Sequence, residues 1–230
     1  GIYLGPLMLL LGAQGAIAGA RQVLIVGDSQ STGVFGRELD RLVRAQVGDA
    51  NVDTYASCGS TPKTWFEGGP TTCGYVELHP GGSGVSLAKH STPKIEALLE
   101  ARSPDAVIVQ MGGNLIGKGV EVAGNEAERL ATLLAAKGLP CVWIGPPHGT
   151  KRPQPQTDRV IAKIRETVVP RCTFINSYGF SDIRYPEGSG DGIHYDQAGS
   201  EGRRLGKLWA NHAFTAIPAG FLANGDGSVE

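Results

Sequence analysis

A serine and an Asp/His pair occur in this chain in contexts typical of acyl-transfer chemistry, together with an asparagine. They lie in the segments Gly27-Asp28-Ser29, Gly112-Gly113-Asn114 and Asp191-Gly192-Ile193-His194. A serine hydroxyl becomes an effective nucleophile when a neighbouring base removes its proton, and histidine titrates in the range that suits this task. A carboxylate on the second ring nitrogen orients the imidazole, and amide N–H groups stabilise the oxyanion. The residue types therefore predict Ser29 as nucleophile, His194 as its base and Asp191 as the group that orients the base.

The segments between these residues alternate between strand and helix patterns. Strands are predicted at 23–27, 52–57, 105–111, 140–145 and 172–177, and helices at 33–47, 92–102, 121–137, 155–169 and 196–216. Such alternation predicts a parallel sheet with helices on both faces, within one domain. Ligands bind beyond the carboxyl ends of the strands in these sheets, so the residues that follow each strand should meet at one edge.

Residues 60–90 have no clear period and are rich in Gly, Pro, Thr and Ser, which predicts a long functional loop over Ser29. This loop carries Trp65 and Tyr75, and later loops add His148 and Tyr178. Aromatic faces with polar neighbours suit a sugar ring better than an acyl chain, so we expect these four residues to bind substrate. The alternative is that several of them only pack the loops.

Four motifs, in order, resemble those of the SGNH hydrolases, also called GDSL-type esterases and lipases. The matching positions are Gly27-Asp28-Ser29, Gly59, Gly112-Gly113-Asn114 and Asp191-Gly192-Ile193-His194, and the resemblance spans about residues 22–212. It implies a three-layer α/β/α fold with a flavodoxin-like, five-stranded parallel sheet. It also implies an oxyanion hole built from the N–H groups of Ser29 and Gly59 and the side-chain amide of Asn114. Gly68 and Gly69 remain alternatives to Gly59.

The same resemblance implies a serine esterase that works through an acyl-enzyme. Together with the aromatic loops, it predicts removal of small acyl groups, acetyl first of all, from a carbohydrate or a cell-envelope glycan such as peptidoglycan. A lipid-directed esterase, lysophospholipase or thioesterase is the alternative within the family. A catalytically idle glycan-binding module is the alternative outside enzymes.

Four cysteines, Cys58, Cys73, Cys141 and Cys172, form no C-x-x-C pair, which argues against a zinc ribbon or a thioredoxin-type site. Cys58–Cys73 is the most local pairing, and closing a loop of that size would stabilise the fold by about 3 kcal/mol. Such a bond implies an oxidising compartment. Four buried free thiols are the competing interpretation.

The first twenty residues resemble the end of a secretory signal. Residues 2–20 carry no charge, and an apolar run is followed by small residues with A-x-A spacing at Ala16-Ile17-Ala18. A cloning remnant and a membrane anchor are the alternatives, and we expect membrane contact only in the last case. We therefore predict a leader at 1–20, a hydrolase domain at 21–217 and a flexible tail at 218–230, exported from a bacterial cell to the periplasm or the medium.

Charge and motif patterns argue against other partners. The chain has 21 Lys and Arg against 22 Asp and Glu, so it lacks the positive excess that neutralises nucleic-acid phosphates. Residues 112–119 nearly match a nucleotide-binding loop, but glycine follows Lys118 where Ser or Thr would hold magnesium. Asp191, His194 and Asp196 lack a second nearby histidine for a metal site. We expect no nucleic acid, nucleotide, metal or cofactor.

Overall fold

A computed structural model describes residues 21–223; the expected leader at 1–20 and the last part of the tail lie outside the described residues. The strands are β1 (Val23–Gly27), β2 (Val52–Ser57), β3 (Pro70–Thr71), β4 (Tyr75–Leu78), β5 (Gly84–Leu87), β6 (His90–Ser91), β7 (Ala106–Gln110), β8 (Cys141–Ile144) and β9 (Cys172–Ile175). The helices are α1 (Ser29–Thr32), α2 (Val34–Val47), α3 (Pro62–Glu67), α4 (Ile95–Arg102), α5 (Val120–Ala136), α6 (Gln154–Val168) and α7 (Gly199–Thr215).

The central sheet has seven strands in the order β5-β4-β2-β1-β7-β8-β9. Its five strands β2, β1, β7, β8 and β9 run parallel, which confirms the predicted flavodoxin-like parallel core. Every residue of β1 and β7 is buried, as their continuous apolar sequences require for strands covered on both faces. The carboxyl ends of these strands meet at one edge.

Helices cover both faces of the sheet and give the predicted three layers. On one face α2 packs against α7, and the rings of Phe35 and Trp209 stack with their centroids 3.5 Å apart. On the other face α5 packs against α6, and Leu130 and Ile164 belong to one buried cluster. These two apolar cores fix the sheet, and with it the ends of the strands.

The segment 60–90, predicted as one long loop, contains regular structure. Thr61 and Thr64 form a capping box at the start of α3, and Pro62 occupies the first turn. Strands β4 and β5 then form an antiparallel hairpin that extends the sheet beyond β2. These elements have only four to six residues, too few for a sequence period to identify them.

Two disulfides join the four cysteines, so none is free among the described residues. Cys58 pairs with Cys73 beside the end of β2, the pairing that their local spacing favoured. Cys141 and Cys172 are opposite residues in the paired strands β8 and β9. The remaining competing interpretation, four free thiols, does not describe this structure.

The packed part of the chain extends beyond the expected domain boundary at 217. Phe221 and Leu222 are buried against the core that also holds α7, because their apolar side chains cover the end of that cluster. Two residues of the expected tail are therefore packed, while residues 218–220 are exposed. Between residues 21 and 223, no helix is long and apolar enough to cross a membrane.

Candidate active site

Ser29 lies at the first turn after β1. It is the first residue of α1, and Asp28 before it accepts a hydrogen bond of 3.0 Å from the backbone N–H of Gln30, as an N-cap does. The Asp28 N–H donates to the carbonyl of Gln110 at the end of β7, at 3.0 Å. Strand end and cap together hold Ser29 at the edge of the sheet, where it is 8% exposed.

The structure brings His194 to Ser29 although 165 residues separate them in the chain. Nε2 of His194 lies 2.9 Å from the Ser29 hydroxyl oxygen, and Nδ1 lies 2.5 Å from Oδ2 of Asp191. Because a carboxylate accepts the Nδ1 proton, Nε2 is the nitrogen that can accept the proton of the serine hydroxyl. The three side chains form one continuous hydrogen-bonded series.

Asp191 is held by its own loop as well as by His194. Its Oδ1 accepts hydrogen bonds from the backbone N–H of Ile193 at 2.9 Å and of His194 at 2.7 Å. Partial burial works against the charge of Asp191, but the hydrogen bonds from the His194 side chain and from these backbone groups outweigh it and hold the pKa of the carboxyl below its usual value. Asp191 therefore stays ionised opposite the imidazole.

Two side chains that sequence reasoning missed fasten the loop of His194. Nε2 of Gln30 donates to the carbonyl of Ile193 at 2.7 Å. The hydroxyl of Tyr185 donates to the carbonyl of His194 at 3.3 Å and lies 3.4 Å from Oδ1 of Asp191. In the sequence, the only signal for this role was that Gln30 directly follows Ser29.

Asn114 and the loop after β2 meet beside the nucleophile. Nδ2 of Asn114 donates to the carbonyl of Ser60 at 2.9 Å, and the Ser60 hydroxyl lies 3.4 Å from the carbonyl of Gly27. Gly59 precedes Ser60 with φ +77°, a left-handed conformation that favours glycine. The two alternative glycines lie at the other end of α3 from Gly59, because Gly68 ends that helix and a side chain at Gly69 would meet Thr64.

A disulfide and two hydrogen bonds hold the loop that carries Gly59. Cys58 is disulfide-bonded to Cys73, and its N–H donates to the carbonyl of Gly74 at 2.8 Å. The hydroxyl of Thr71 donates to the carbonyl of Cys58 at 2.7 Å. Sequence spacing favoured this pairing, and because Cys58 directly precedes Gly59, the bond anchors the chain immediately before the glycine.

The predicted substrate-binding aromatics separate into two groups. Trp65 and Tyr75 are both 0% exposed, so neither is open to a substrate. Their polar atoms have internal partners, since Trp65 Nε1 donates to the Ser60 hydroxyl and the Tyr75 hydroxyl donates to Glu77. His148 and Tyr178 are half-buried, with ring centroids 5.7 Å apart, and remain accessible.

Two ionisable side chains at this edge of the sheet, Asp28 and His148, have shifted pKa values. Burial raises the pKa of Asp28, which is 1% exposed, although the Gln30 N–H and the charge of Arg152 oppose that rise. Burial also lowers the pKa of His148, and the charges of Arg184 and Arg152 lower it further. Nδ1 of His148 accepts the N–H of Tyr185 at 3.3 Å, so the neutral ring keeps its proton on Nε2.

Comparison with solved structures identifies proteins of the same fold. An esterase from Pseudoalteromonas sp., solved with monoethylphosphonate as inhibitor, matches with a TM-score of 0.54 and 16% identity over 86% of this chain and 96% of its own. A lipase/acylhydrolase from Enterococcus faecalis matches with a TM-score of 0.52 and 15% identity over 85% of this chain and 96% of its own.

A catalytic mutant of an acetylxylan esterase from Geobacillus stearothermophilus matches with a TM-score of 0.51 and 13% identity, over 86% of this chain and 95% of its own. No family model matches the sequence, and no curated protein matches it. At these identities the comparisons show the fold, which is the SGNH hydrolase fold that the four motifs predict.

Proposed function

We propose that the protein is a serine esterase of the SGNH hydrolase family. The observation that carries this proposal is the hydrogen-bonded series from Ser29 through His194 to Asp191, with separations of 2.9 Å and 2.5 Å. A carboxylate, an imidazole and a serine hydroxyl in that order are the arrangement that activates a serine nucleophile. Structural neighbours that are esterases and an acylhydrolase agree with this chemistry.

The first half of the reaction forms an acyl-enzyme. Nε2 of His194 removes the proton from Ser29 as the hydroxyl oxygen attacks the ester carbonyl carbon. The negative oxygen that forms is stabilised by the N–H groups of Ser29 and Gly59 and by the Asn114 amide. The carbonyl then re-forms, the bond to the leaving alcohol breaks, and the proton on His194 passes to that alcohol.

The second half releases the acyl group as a carboxylic acid. Water enters the position of the departed alcohol, and His194 removes its proton while it attacks the acyl carbon. The bond to Ser29 breaks and the hydroxyl regains the proton. Throughout, Asp191 remains ionised and stabilises the imidazolium, as its lowered pKa allows.

We assign the substrate as a small acyl ester, acetyl first of all, on a carbohydrate. The support is the pair of half-buried rings, His148 and Tyr178, which lie on the loops after β8 and β9 at the same edge as Ser29. A flat sugar face packs on such rings, and their polar atoms can bond hydroxyl groups. The acetylxylan esterase among the structural neighbours is consistent with this class.

The second candidate is an ester with a longer acyl chain, which would need an apolar surface beside Ser29. The groove that Tyr178 lines has a volume of about 490 Å³, but Ser29 and His194 do not line it, and its walls mix apolar with charged side chains, Arg165 and Glu166 among them. A series of p-nitrophenyl esters from acetate to decanoate separates the two. Highest kcat/KM at acetate supports the carbohydrate ester, whereas a maximum at long chains supports the lipid-directed alternative.

Two disulfides support an exported protein, because such bonds persist in oxidising compartments. The periplasm and the medium are the two locations that fit. Counting titratable thiols in denaturant, with and without prior reduction, tests this. We expect none before reduction, whereas four would remove the support for export.

The decisive experiment is covalent labelling with a fluorophosphonate, which reacts with activated serines. We expect the wild-type chain to be labelled on Ser29 and the Ser29→Ala variant to be inert towards both the label and p-nitrophenyl acetate. Ser31→Ala is the matched control, since Ser31 is buried in the same helix and bonds Gln110. An unlabelled wild type would identify the chain as an idle module, and unchanged turnover in Ser29→Ala would refute the nucleophile.

A further inference from the structure

Three positively charged side chains lie on the two loops that flank the candidate site. Lys151 and Arg152 follow β8, and Arg184 follows β9. Among residues 21–223, some arginines and lysines elsewhere form ion pairs, as Arg44 does with Asp40, but none of these three has a carboxylate within ion-pair distance. Three unpaired positive charges therefore lie on neighbouring loops at the edge of the sheet that carries Ser29.

Glycines make room for Arg152 beside the oxyanion residues. A methyl group on Gly113 would lie 2.6 Å from Nη2 of Arg152 and 3.7 Å from Oδ2 of Asp28. A methyl group on Gly149 would lie 3.6 Å from Cδ of Arg152. The guanidinium therefore occupies space that a side chain at Gly113 would fill, beside the residue that precedes Asn114, whereas Gly149 only packs against the aliphatic part of Arg152.

Protein acceptors among the described residues use only part of the hydrogen-bonding capacity of the Arg152 guanidinium. Its Nη1 donates to the carbonyl of Pro147 at 2.9 Å, and within residues 21–223 its other N–H groups donate to no protein acceptor. Burial lowers the pKa of Arg152, and the charge of Asp28 opposes that shift, yet arginine keeps its charge at neutral pH. A half-buried cation whose donors lack acceptors is stabilised by an anion that supplies them.

The neighbours of Arg152 extend the same surface. The charges of both Arg184 and Arg152 act on His148, so both side chains lie near the imidazole. Its Nδ1 accepts the N–H of Tyr185, which leaves the Nε2 proton to donate. The N–H of Lys151 donates to the carbonyl of Gly192 at 3.3 Å, which fastens this loop to the one that presents His194.

We propose that Arg152, Arg184 and His148 bind a carboxylate on the substrate, so that the preferred substrate is an acyl ester of an acidic, uronate-type glycan. The inference rests on the proposed esterase function and names its substrate class. A planar guanidinium binds a carboxylate through two parallel hydrogen bonds, and Arg184 and Lys151 add charge at the same edge. The charge of Asp28 acts on Arg152, but within residues 21–223 the two form no ion pair, so the guanidinium keeps N–H groups for a carboxylate of the substrate.

Equilibrium binding to the Ser29→Ala protein tests the inference without using turnover. The probes are an unacetylated hexuronate oligosaccharide and a neutral xylo-oligosaccharide of the same length, titrated by calorimetry. We expect the acidic probe to bind at least ten-fold more tightly at low salt and to lose most of that advantage at 1 M salt, where charges are screened within about 3 Å. Equal affinities at low salt overturn the proposal.

Charge-removing variants locate the site. In the Ser29→Ala background, Arg152→Gln and Arg184→Gln should each weaken the acidic probe roughly ten-fold more than the neutral one, as loss of a charged hydrogen bond predicts. Lys137→Gln is the matched control, because it removes one positive charge at the opposite end of β8. Unchanged affinity for the acidic probe in both arginine variants, or equal losses for both probes, overturns the assignment. Arg184 is exposed, so its variant remains informative where Arg152→Gln lowers the Tm.

Failure of this inference differs from failure of the esterase proposal. A protein that is labelled on Ser29 but binds both probes equally is an esterase without the acidic preference. A protein that binds the acidic probe but resists the fluorophosphonate has the carboxylate site without the proposed chemistry.

Discussion

Gln30, on the helix of Ser29, donates a hydrogen bond of 2.7 Å to the carbonyl of Ile193, on the loop of His194. The donor is one residue from Ser29 and the acceptor one residue from His194. Gln30 is 4% exposed, so water competes weakly for either group. This bond therefore helps to fix the distance between Ser29 and His194, which exchange a proton in the proposed mechanism.

Gln30→Ala should lower kcat by about ten-fold or more and leave KM nearly unchanged, because small misplacements of reacting groups are costly. Steady-state kinetics with p-nitrophenyl acetate measures both constants. Gln22→Ala is the matched control, since Gln22 bonds Asn51 at the opposite edge of the sheet. A kcat equal to that of the control would show that the loop of His194 is held without Gln30.

The parallel core and the meeting of Ser29, Asn114 and His194 could be predicted from the sequence. Each follows a strand or its loop, and the carboxyl ends of parallel strands share an edge whatever the details of packing. Runs such as 23–27 and 105–111 are long and apolar enough to identify the strands. The proton-transfer distances themselves depended on side-chain directions that no spacing encodes.

Trp65 and Arg152 show what the sequence could not provide. Both lie in segments that follow strands of the sheet, where residues of catalytic sites are common. The structure places them differently, since Trp65 is 0% exposed inside the core and the guanidinium of Arg152 lies beside Gly113. Whether an aromatic ring in a short helix faces substrate or core depends on tertiary packing. In a helix of six residues, no periodicity distinguishes the two faces.

Removal of the Cys58–Cys73 bond should affect catalysis as well as stability. The double variant Cys58→Ser/Cys73→Ser should lose about 3 kcal/mol in the free energy of unfolding, and kcat should fall because Gly59 adjoins Cys58. Urea unfolding and kinetics at a temperature where the protein is folded separate the two effects.

The second disulfide is the matched control. Cys141→Ser/Cys172→Ser should cost a similar 3 to 4 kcal/mol, since it also closes a loop, but should leave kcat unchanged because it joins β8 and β9 at their first residues. Equal kcat in both double variants would show that the glycine loop keeps its geometry without the bond.

The raised pKa of Asp28 should make the free energy of unfolding depend on pH. Burial raises its pKa in the folded protein, so the folded state binds the proton more tightly than the unfolded chain does. The free energy of unfolding contributed by this group is therefore largest below about pH 3.9, the ordinary value, and declines as pH rises through the folded pKa. Asp28→Asn keeps the N-cap and removes that decline.

Urea unfolding between pH 3.5 and 7 should show Asp28→Asn gaining stability relative to the wild type as pH rises. Asp28→Ala should be about 1 kcal/mol less stable than Asp28→Asn at every pH, because it also lacks the cap. Asp158→Asn, on the exposed face of α6, controls for the loss of one carboxylate. Parallel curves for wild type and Asp28→Asn contradict the raised pKa.

Asn114 has two N–H groups on one nitrogen and, in the proposed mechanism, two partners for them. One N–H already donates to the carbonyl of Ser60 at 2.9 Å, which ties the Gly59 loop to the end of β7. The other is free to meet the oxyanion only during the reaction. Asn114→Ala should therefore reduce kcat by about 10²–10³-fold with a small change in KM, the usual effect of losing one oxyanion donor.

Asn114→Asp removes both N–H groups of this side chain and adds a negative charge in their place. A carboxylate cannot donate to the Ser60 carbonyl and repels the forming oxyanion, so kcat should fall at least as far as in Asn114→Ala. Labelling by the fluorophosphonate should slow in parallel, since the phosphonyl oxygen uses the same donors. Asn125→Ala, exposed on α5, is the control. If Asn114→Ala turned over at the rate of that control, the amide would serve only to hold Ser60, and the oxyanion hole would reduce to the N–H groups of Ser29 and Gly59.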